Sequence, residues 1–160
     1  MGDDTQRFLD EARQLCPRYV RHDTNAHEDD ALSEMVEESG MAFYGWYWLL
    51  VELLTCRRGH TYDISEPRGW KRLAHDLSCM CPMTVPRCKT FVGMLYEHDL
   101  ISREHHDELG KLAIKRVLRD CETYSQGVAK RKQAAHDTNA KRRAKRDGDR
   151  DANRNGDRDG

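Results

Sequence analysis

The sequence predicts a mainly α fold: a winged helix-turn-helix with a small β-hairpin, an extra N-terminal helix, and a long C-terminal helix running into a disordered tail. Three observations predict it. Met41 to Leu54 is apolar nearly all round, as a central buried helix is. Two amphipathic stretches, Trp70–Leu77 and Val85–His98, are separated by the tight connection Ser78–Met83. Short β-like segments flank that pair, at Thr61–Ile64 and at Leu100–Ser102 with Leu112 and Ile114. The order helix, helix, strand, short helix, turn, helix, hairpin is a helix-turn-helix with a hairpin added after its second helix. A plain helical bundle with one loop is the competing arrangement.

Asp4 to Leu15 reads as a short amphipathic helix with Phe8, Ala12 and Leu15 on one stripe, Asp3 or Asp4 as cap, and Pro17 as stop. Arg18 to His27 lacks a helical period and is expected to run extended. Asp29 or Asp30 caps the next helix, which carries Leu32, Met35 and Val36 on one face and ends at Gly40. Arg57-Arg58-Gly59 closes the central helix. The helix at 70–77 turns Trp70, Leu73, Ala74 and Leu77 inward.

Thr84 is an N-cap, and Pro86 sits in the first turn of the following helix, where its missing N–H costs nothing. That helix buries Val85, Cys88, Val92 and Leu95 and shows Arg87, Lys89, Thr90 and Glu97 on the opposite face. Asp107 and Gly110 suit a turn. Leu112, Ile114 and Val117 form a returning strand or begin the last helix. From Cys121 to about Arg146 the chain permits helix but has almost no apolar face. After Asp147 it is low-complexity, of mixed charge, and expected to be disordered. The resulting segments are 1–17, an N-terminal helix; 18–128, the winged-helix domain; and 129–160, a basic helical-to-disordered tail.

The 160 residues suit one domain with an extension. Charged residues are 34% and hydrophobic residues 38%, with a mean hydropathy of −0.92. The longest strongly apolar run, Phe43–Val51, is well short of the ~20 residues that span a bilayer, so no membrane partner is expected. The acidic N-terminus lacks the apolar stretch of a secretory signal, and the expected location is cytoplasmic. The six cysteines read as reduced thiols, with Cys16, Cys56, Cys88 and Cys121 as small buried hydrophobes. The net charge of −1 hides an asymmetry: residues 1–67 hold 6 basic and 14 acidic residues, 68–110 hold 6 and 6, and 111–160 hold 15 and 8. Polyanions respond to local basic patches rather than to the total.

Arg18-Tyr-Val-Arg-His22-Asp23-Thr24-Asn25-Ala26, then Asp30, then Gly40-Met-Ala-Phe43-Tyr44-Gly45-Trp46-Tyr47-Trp48-Leu-Leu-Val-Glu52-Leu53-Leu54 resembles a family of phage and prophage proteins. Its members are N-terminal winged-helix domains of replication-initiator or replisome-organiser proteins, related in kind to the DnaD N-terminal domain. The resemblance covers about residues 18–130 and implies a part in DNA replication. Phe43 stands where the family usually has Gly, and a basic tail stands where a second, recruiting domain usually follows.

Read as residues, Tyr44, Trp46, Tyr47 and Trp48 fill a core, and Gly45 permits close helix approach. Glu52 is expected to take an Arg or backbone partner. His22, Asp23 and Asn25 satisfy loop backbone groups, with a nucleophile or metal cluster as the alternative. HDTNA recurs at His136–Ala140, which reads as coincidence.

The helix-turn-helix arrangement sends the helix from Val85 into the major groove, where first-turn residues meet base edges. That names Thr84, Arg87, Lys89 and Thr90, with Arg87 suited to guanine O6 and N7. Lys71 and Arg72 on the preceding helix, and Arg103 in the wing, are placed over phosphates. In the tail, Lys130, Arg131, Lys132, Lys141, Arg142, Arg143, Lys145 and Arg146 oppose only Asp137 within 17 residues, a run that binds phosphates without reading sequence. Cys79, Cys81 and Cys88 with His75, His98, His105 or His106 include the residue types of a zinc site, but C-x-C-x₆-C is not the usual spacing. No P-loop, G-x-S-x-G or H-E-x-x-H motif is present. The expectation is therefore a non-enzymatic protein without cofactor or metal that binds double-stranded DNA, with replication proteins or itself as further partners. The alternative is a protein-interaction or oligomerisation module, including a phage-type inhibitor of a host factor. It would act through the acidic residues Glu28, Asp29, Asp30, Glu34, Glu37 and Glu38.

Overall fold

The computed structural model describes residues 2–15, 17, 29–79 and 81–156. The fold is mainly helical with a small two-stranded antiparallel sheet. The chain divides into two compact units, Gln14–Thr123, and Met1–Arg13 with Tyr124–Gly160. The expected extended segment 18–27, with His22, Asp23 and Asn25, lies outside the described residues, as does Cys16.

The first helix, α1 (Gly2–Ala12), belongs to the smaller unit, and the larger unit opens with α2 (Asp30–Ser39). Asp29 caps it by accepting the Leu32 N–H at 3.2 Å. Gly40 ends it at φ 82°, a conformation that disfavours a side chain. α3 (Met41–Thr55) follows directly and buries Phe43, Trp46, Tyr47, Trp48, Leu50, Val51 and Leu54. Phe43, Trp46 and Phe91 meet edge to face, with ring centroids 5.3, 5.5 and 6.0 Å apart. Such pairs add ~0.5–1.5 kcal/mol each beyond area burial. Tyr44 is only half-buried at the margin of this core.

Three expectations for this helix and its end are corrected. Glu52 is exposed, so water solvates its carboxylate and no partner is required. Cys56 is exposed just past the helix end. A Cβ added at Gly45 meets nothing within 4 Å, so close approach does not explain that glycine.

The close approach occurs elsewhere. β1 (Tyr62–Asp63) leads into α4 (Pro67–Leu77). A Cβ at Gly69 would sit 2.3 Å from the Asp63 carbonyl oxygen, so α4 rests on the strand backbone. α4 buries Leu73, Ala74 and Leu77, whereas Trp70 is half-buried rather than fully inward. α5 (Val85–Glu97) is capped by Thr84, whose hydroxyl accepts the Arg87 N–H at 3.4 Å. It buries Cys88, Val92 and Leu95 as the spacing predicts. Phe91, absent from that stripe, is also fully buried, while Val85 is half-buried. Burial pushes the Cys88 thiol up to about 11, so it stays protonated at neutral pH.

β2 (Lys111–Leu112) pairs antiparallel with β1, Tyr62 opposite Leu112 and Asp63 opposite Lys111. Beside it Ile101 bridges Ile114, the Ser102 N–H donates to the Ala113 carbonyl at 2.8 Å, and the Lys115 N–H donates to the Leu100 carbonyl at 3.0 Å. Where Asp107 and Gly110 suit a turn, Glu104–Glu108 winds as a single π-type turn and Gly110 takes φ 60°. α6 (Lys115–Gly156) starts before Val117, which is therefore helical.

In the smaller unit, α1 (Gly2–Ala12) lies against α6. Phe8 and Ala12 are buried, but Leu15 falls beyond the helix end and is 43% exposed. The helix already begins at Gly2, so Asp3 and Asp4 fall inside it and not at its cap. On α6, Ser125 and Ala129 are buried, so this helix has a packing face of small residues where little apolar face was expected. The second HDTNA also has a packing role, because His136 meets the Phe8 ring edge-on at 6.0 Å. α6 continues to Gly156, past Asp147, where composition predicts the loss of regular structure.

Candidate nucleic-acid interface

The start of α5 brings together four of the residues expected to contact DNA. Thr84, Arg87, Lys89 and Thr90 are all exposed. Both hydroxyls have local duties: Thr84 caps the helix, and Thr90 donates to the Pro86 carbonyl at 3.2 Å. The two cations rest on aromatic faces. The Arg87 guanidinium lies 4.5 Å from the Trp46 ring centroid, and the Lys89 ammonium 5.5 Å from that of Trp70. Such contacts position the stems while leaving the charges at the surface. The other end of α5 is electrostatically opposite. His98 lies between Glu34 and Glu38 of α2, at 3.3 and 3.9 Å, and Glu97 is exposed.

Lys71 and Arg72 are exposed on α4. They belong to a larger cluster that the sequence reading missed. Arg68, Lys71, Arg72 and His75, spaced by three, one and three, share the helix face away from Leu73, Ala74 and Leu77. With Arg57, Tyr62 and Asp76 they line an open cleft of about 500 Å³. Asp76 organises the cleft: it accepts the Arg57 guanidinium at 3.1 Å and the Tyr62 hydroxyl at 2.8 Å. The Arg57 guanidinium also lies over Tyr62, 4.0 Å from the ring centroid. Burial, then the hydrogen bond and charge of Asp76, push the Tyr62 phenol up to about 12, so it remains a donor throughout the neutral range. The spacing on α4 was readable as a basic face. Arg57 and Tyr62 arrive from other elements and left no such signal.

Arg103 stands apart from these groups. It pairs with Asp99 at 3.5 Å and lies 5.0 Å from the Tyr96 ring centroid. Its charge is thus partly answered within the chain, which the sequence reading did not foresee. Lys130, Arg131, Lys132, Lys141, Arg142 and Arg143 follow one another along α6 in the smaller unit. Lys132 is engaged by Glu11 at 2.8 Å, and Lys141, Arg142 and Arg143 are exposed.

Cys79 is exposed and Cys88 buried. Among the described residues, no group of three or more His, Cys, Asp or Glu side chains is placed to hold a metal ion. No helix among them is long and apolar enough to cross a membrane. No protein-family model, no curated protein and no solved structure matches the chain.

Proposed function

We propose that residues 18–128 form a winged-helix module that binds double-stranded DNA, with α5 as the reading helix and the basic residues of α6 adding affinity without sequence preference. The element order supports the reading. A strand precedes two helices, a hairpin-like return follows them, and the first strand pairs with the returning one. The observation that carries it is the placement of Arg87 and Lys89, exposed on the first turns of α5, where base contacts of such helices are made. Lys71 and Arg72 on α4 supply phosphate contacts, and Lys130, Arg131, Lys132, Lys141, Arg142 and Arg143 supply the salt-sensitive part. The resemblance of the HDTNA and aromatic-helix motifs to phage replication initiators supports a role for this binding in DNA replication.

The test is fluorescence anisotropy of the full chain with duplex DNA across a salt series. Arg87→Glu with Lys89→Glu should abolish preference for a selected site. Neutralising Lys141, Arg142 and Arg143 should weaken all duplexes alike and flatten the salt slope by about one unit for each phosphate left without its cation. Arg87 also covers Trp46, so each variant needs a thermal melt to show that the fold is kept. Unchanged site preference in a folded Arg87→Glu/Lys89→Glu variant would overturn the assignment of α5. The acidic surface of α2 would then become the leading candidate for partner binding.

A further inference from the structure

We infer that the cleft between α4 and β1 is a binding site for a dianionic phosphate group, such as a terminal phosphate or a diphosphate. The inference goes beyond the reading of α5 and stands if that reading fails. Arg57, Arg68, Lys71 and Arg72 contribute four positive charges around one carboxylate, Asp76. Asp76 is already occupied by Arg57 and Tyr62. The neighbouring Asp63 carboxylate, bonded by the Ser65 hydroxyl and amide at 2.6 and 3.0 Å, keeps its charge, which both Arg72 and its cross-strand partner Lys111 answer. No carboxylate among the described residues lies within 4 Å of Arg68, Lys71 or Arg72. An excess of about three positive charges in one concavity suits a dianion, and Lys71 and Arg72, which the DNA reading sets against backbone phosphates, belong to both proposals.

The shape of the cleft supports the same ligand. Guanidinium groups match phosphate oxygens in a fork, and three of the four cations are arginines. Arg57 is held in place before any ligand arrives, by Asp76 on one side and the Tyr62 ring on the other, which lowers the ordering cost of binding. Gly69 seats α4 directly on the β1 backbone and so fixes Arg68, Lys71 and Arg72 relative to Tyr62. The Tyr62 face that a base would stack on is covered by Arg57. Recognition is therefore of the phosphate and not of a base.

The probe is inorganic pyrophosphate, titrated into the full chain at constant ionic strength and followed by the NMR signals of the arginine side chains. Saturable shifts at Arg57, Arg68 and Arg72, lost in Arg68→Gln/Arg72→Gln, are expected. Lys71→Gln alone should weaken binding about tenfold, the usual scale for one charge-assisted contact. All three positions are exposed, and circular dichroism verifies that the variants stay folded. No saturable shift, or one that persists in the double variant, overturns the inference. The natural source is then read by comparing a 5′-phosphorylated with a 5′-hydroxyl oligonucleotide, and by competition with a nucleoside diphosphate. A preference for the phosphorylated strand that vanishes in Arg68→Gln/Arg72→Gln identifies a strand end. Displacement of pyrophosphate by the nucleoside diphosphate, without such a preference, identifies a free nucleotide. Pyrophosphate binding that neither ligand reproduces leaves the cleft as a site for an adventitious ion only, and overturns the biological reading. Loss of DNA site preference in the α5 variant alone reports on the separate proposal for that helix.

Discussion

Residues 14–123 bury Trp46, Tyr47 and Phe91 almost completely, whereas α1 and the later part of α6 bury Phe8, Ala12, Ser125 and Ala129. The first unit is organised by interlocking rings, the second by small residues and polar pairs such as Glu11 with Lys132. Apolar area buried per residue sets most of the stability. A unit packed by serine and alanine therefore gains less from each position than one packed by tryptophan and phenylalanine. The candidate sites follow the same division. The α5 start and the α4 cleft sit on elements pinned by the aromatic core, while the basic run of α6 lies in the unit with little of its own core. Specific recognition needs rigid placement, and nonspecific charge attraction does not.

The largest expected effect tests that contrast directly. Phe91 joins α5 to Phe43 and Trp46, so Phe91→Ala should cost about 3–5 kcal/mol. Phe8→Ala should cost about 1.5–3 kcal/mol and act on α1. Urea unfolding followed by tryptophan fluorescence reports the first, since all three tryptophans lie in the larger unit. Hydrogen exchange along α1 reports the second. Equal loss of protection throughout the chain in Phe8→Ala would show that the two units unfold as one.

A smaller effect separates two glycines within the larger unit. Gly69→Ala forces a Cβ against the Asp63 carbonyl oxygen and should destabilise by about 1–3 kcal/mol. Gly45→Ala meets open space in mid-helix and should stabilise by up to about 1 kcal/mol. Thermal melts of the two variants should move in opposite directions. The Gly69 variant should also weaken pyrophosphate binding, because the α4 cations are placed through that close approach.

The two units also differ in how far their sequence revealed them. α3 was legible because an all-round apolar stretch has few other uses, and Asp29, Gly40 and Thr84 mark their helix ends by local chemistry. Phe91 lies off the single apolar stripe that the spacing of α5 shows, because its burial depends on Phe43 and Trp46 arriving from α3. The packing of α6 was illegible to hydrophobicity, since Ser125 and Ala129 are buried there by being small. The α5 cations could be named from helix position alone. The cleft could not, because Arg57, Tyr62 and Asp76 meet only after β1 and α4 have docked.

The smallest expected effect concerns the polar seam and depends on pH. The hydrogen bond and charge of Lys132, with a lesser contribution from Arg7, hold the Glu11 carboxyl below its usual value. A carboxylate with a lowered folded-state value stabilises the docked state above its unfolded value and loses that contribution as pH falls through the folded one. Both side chains are substantially exposed, so salt screens the pair and its contribution is slight. Exchange protection of α1 should therefore decline on acidification below the ordinary carboxylate range, and more at low salt than at high. Glu11→Gln should remove that part of the acid dependence and leave the protection of α5 unchanged. If α5 loses protection in step with α1, the aromatic core and the small-residue seam are coupled, and the basic run of α6 cannot be treated as acting independently of the reading helix.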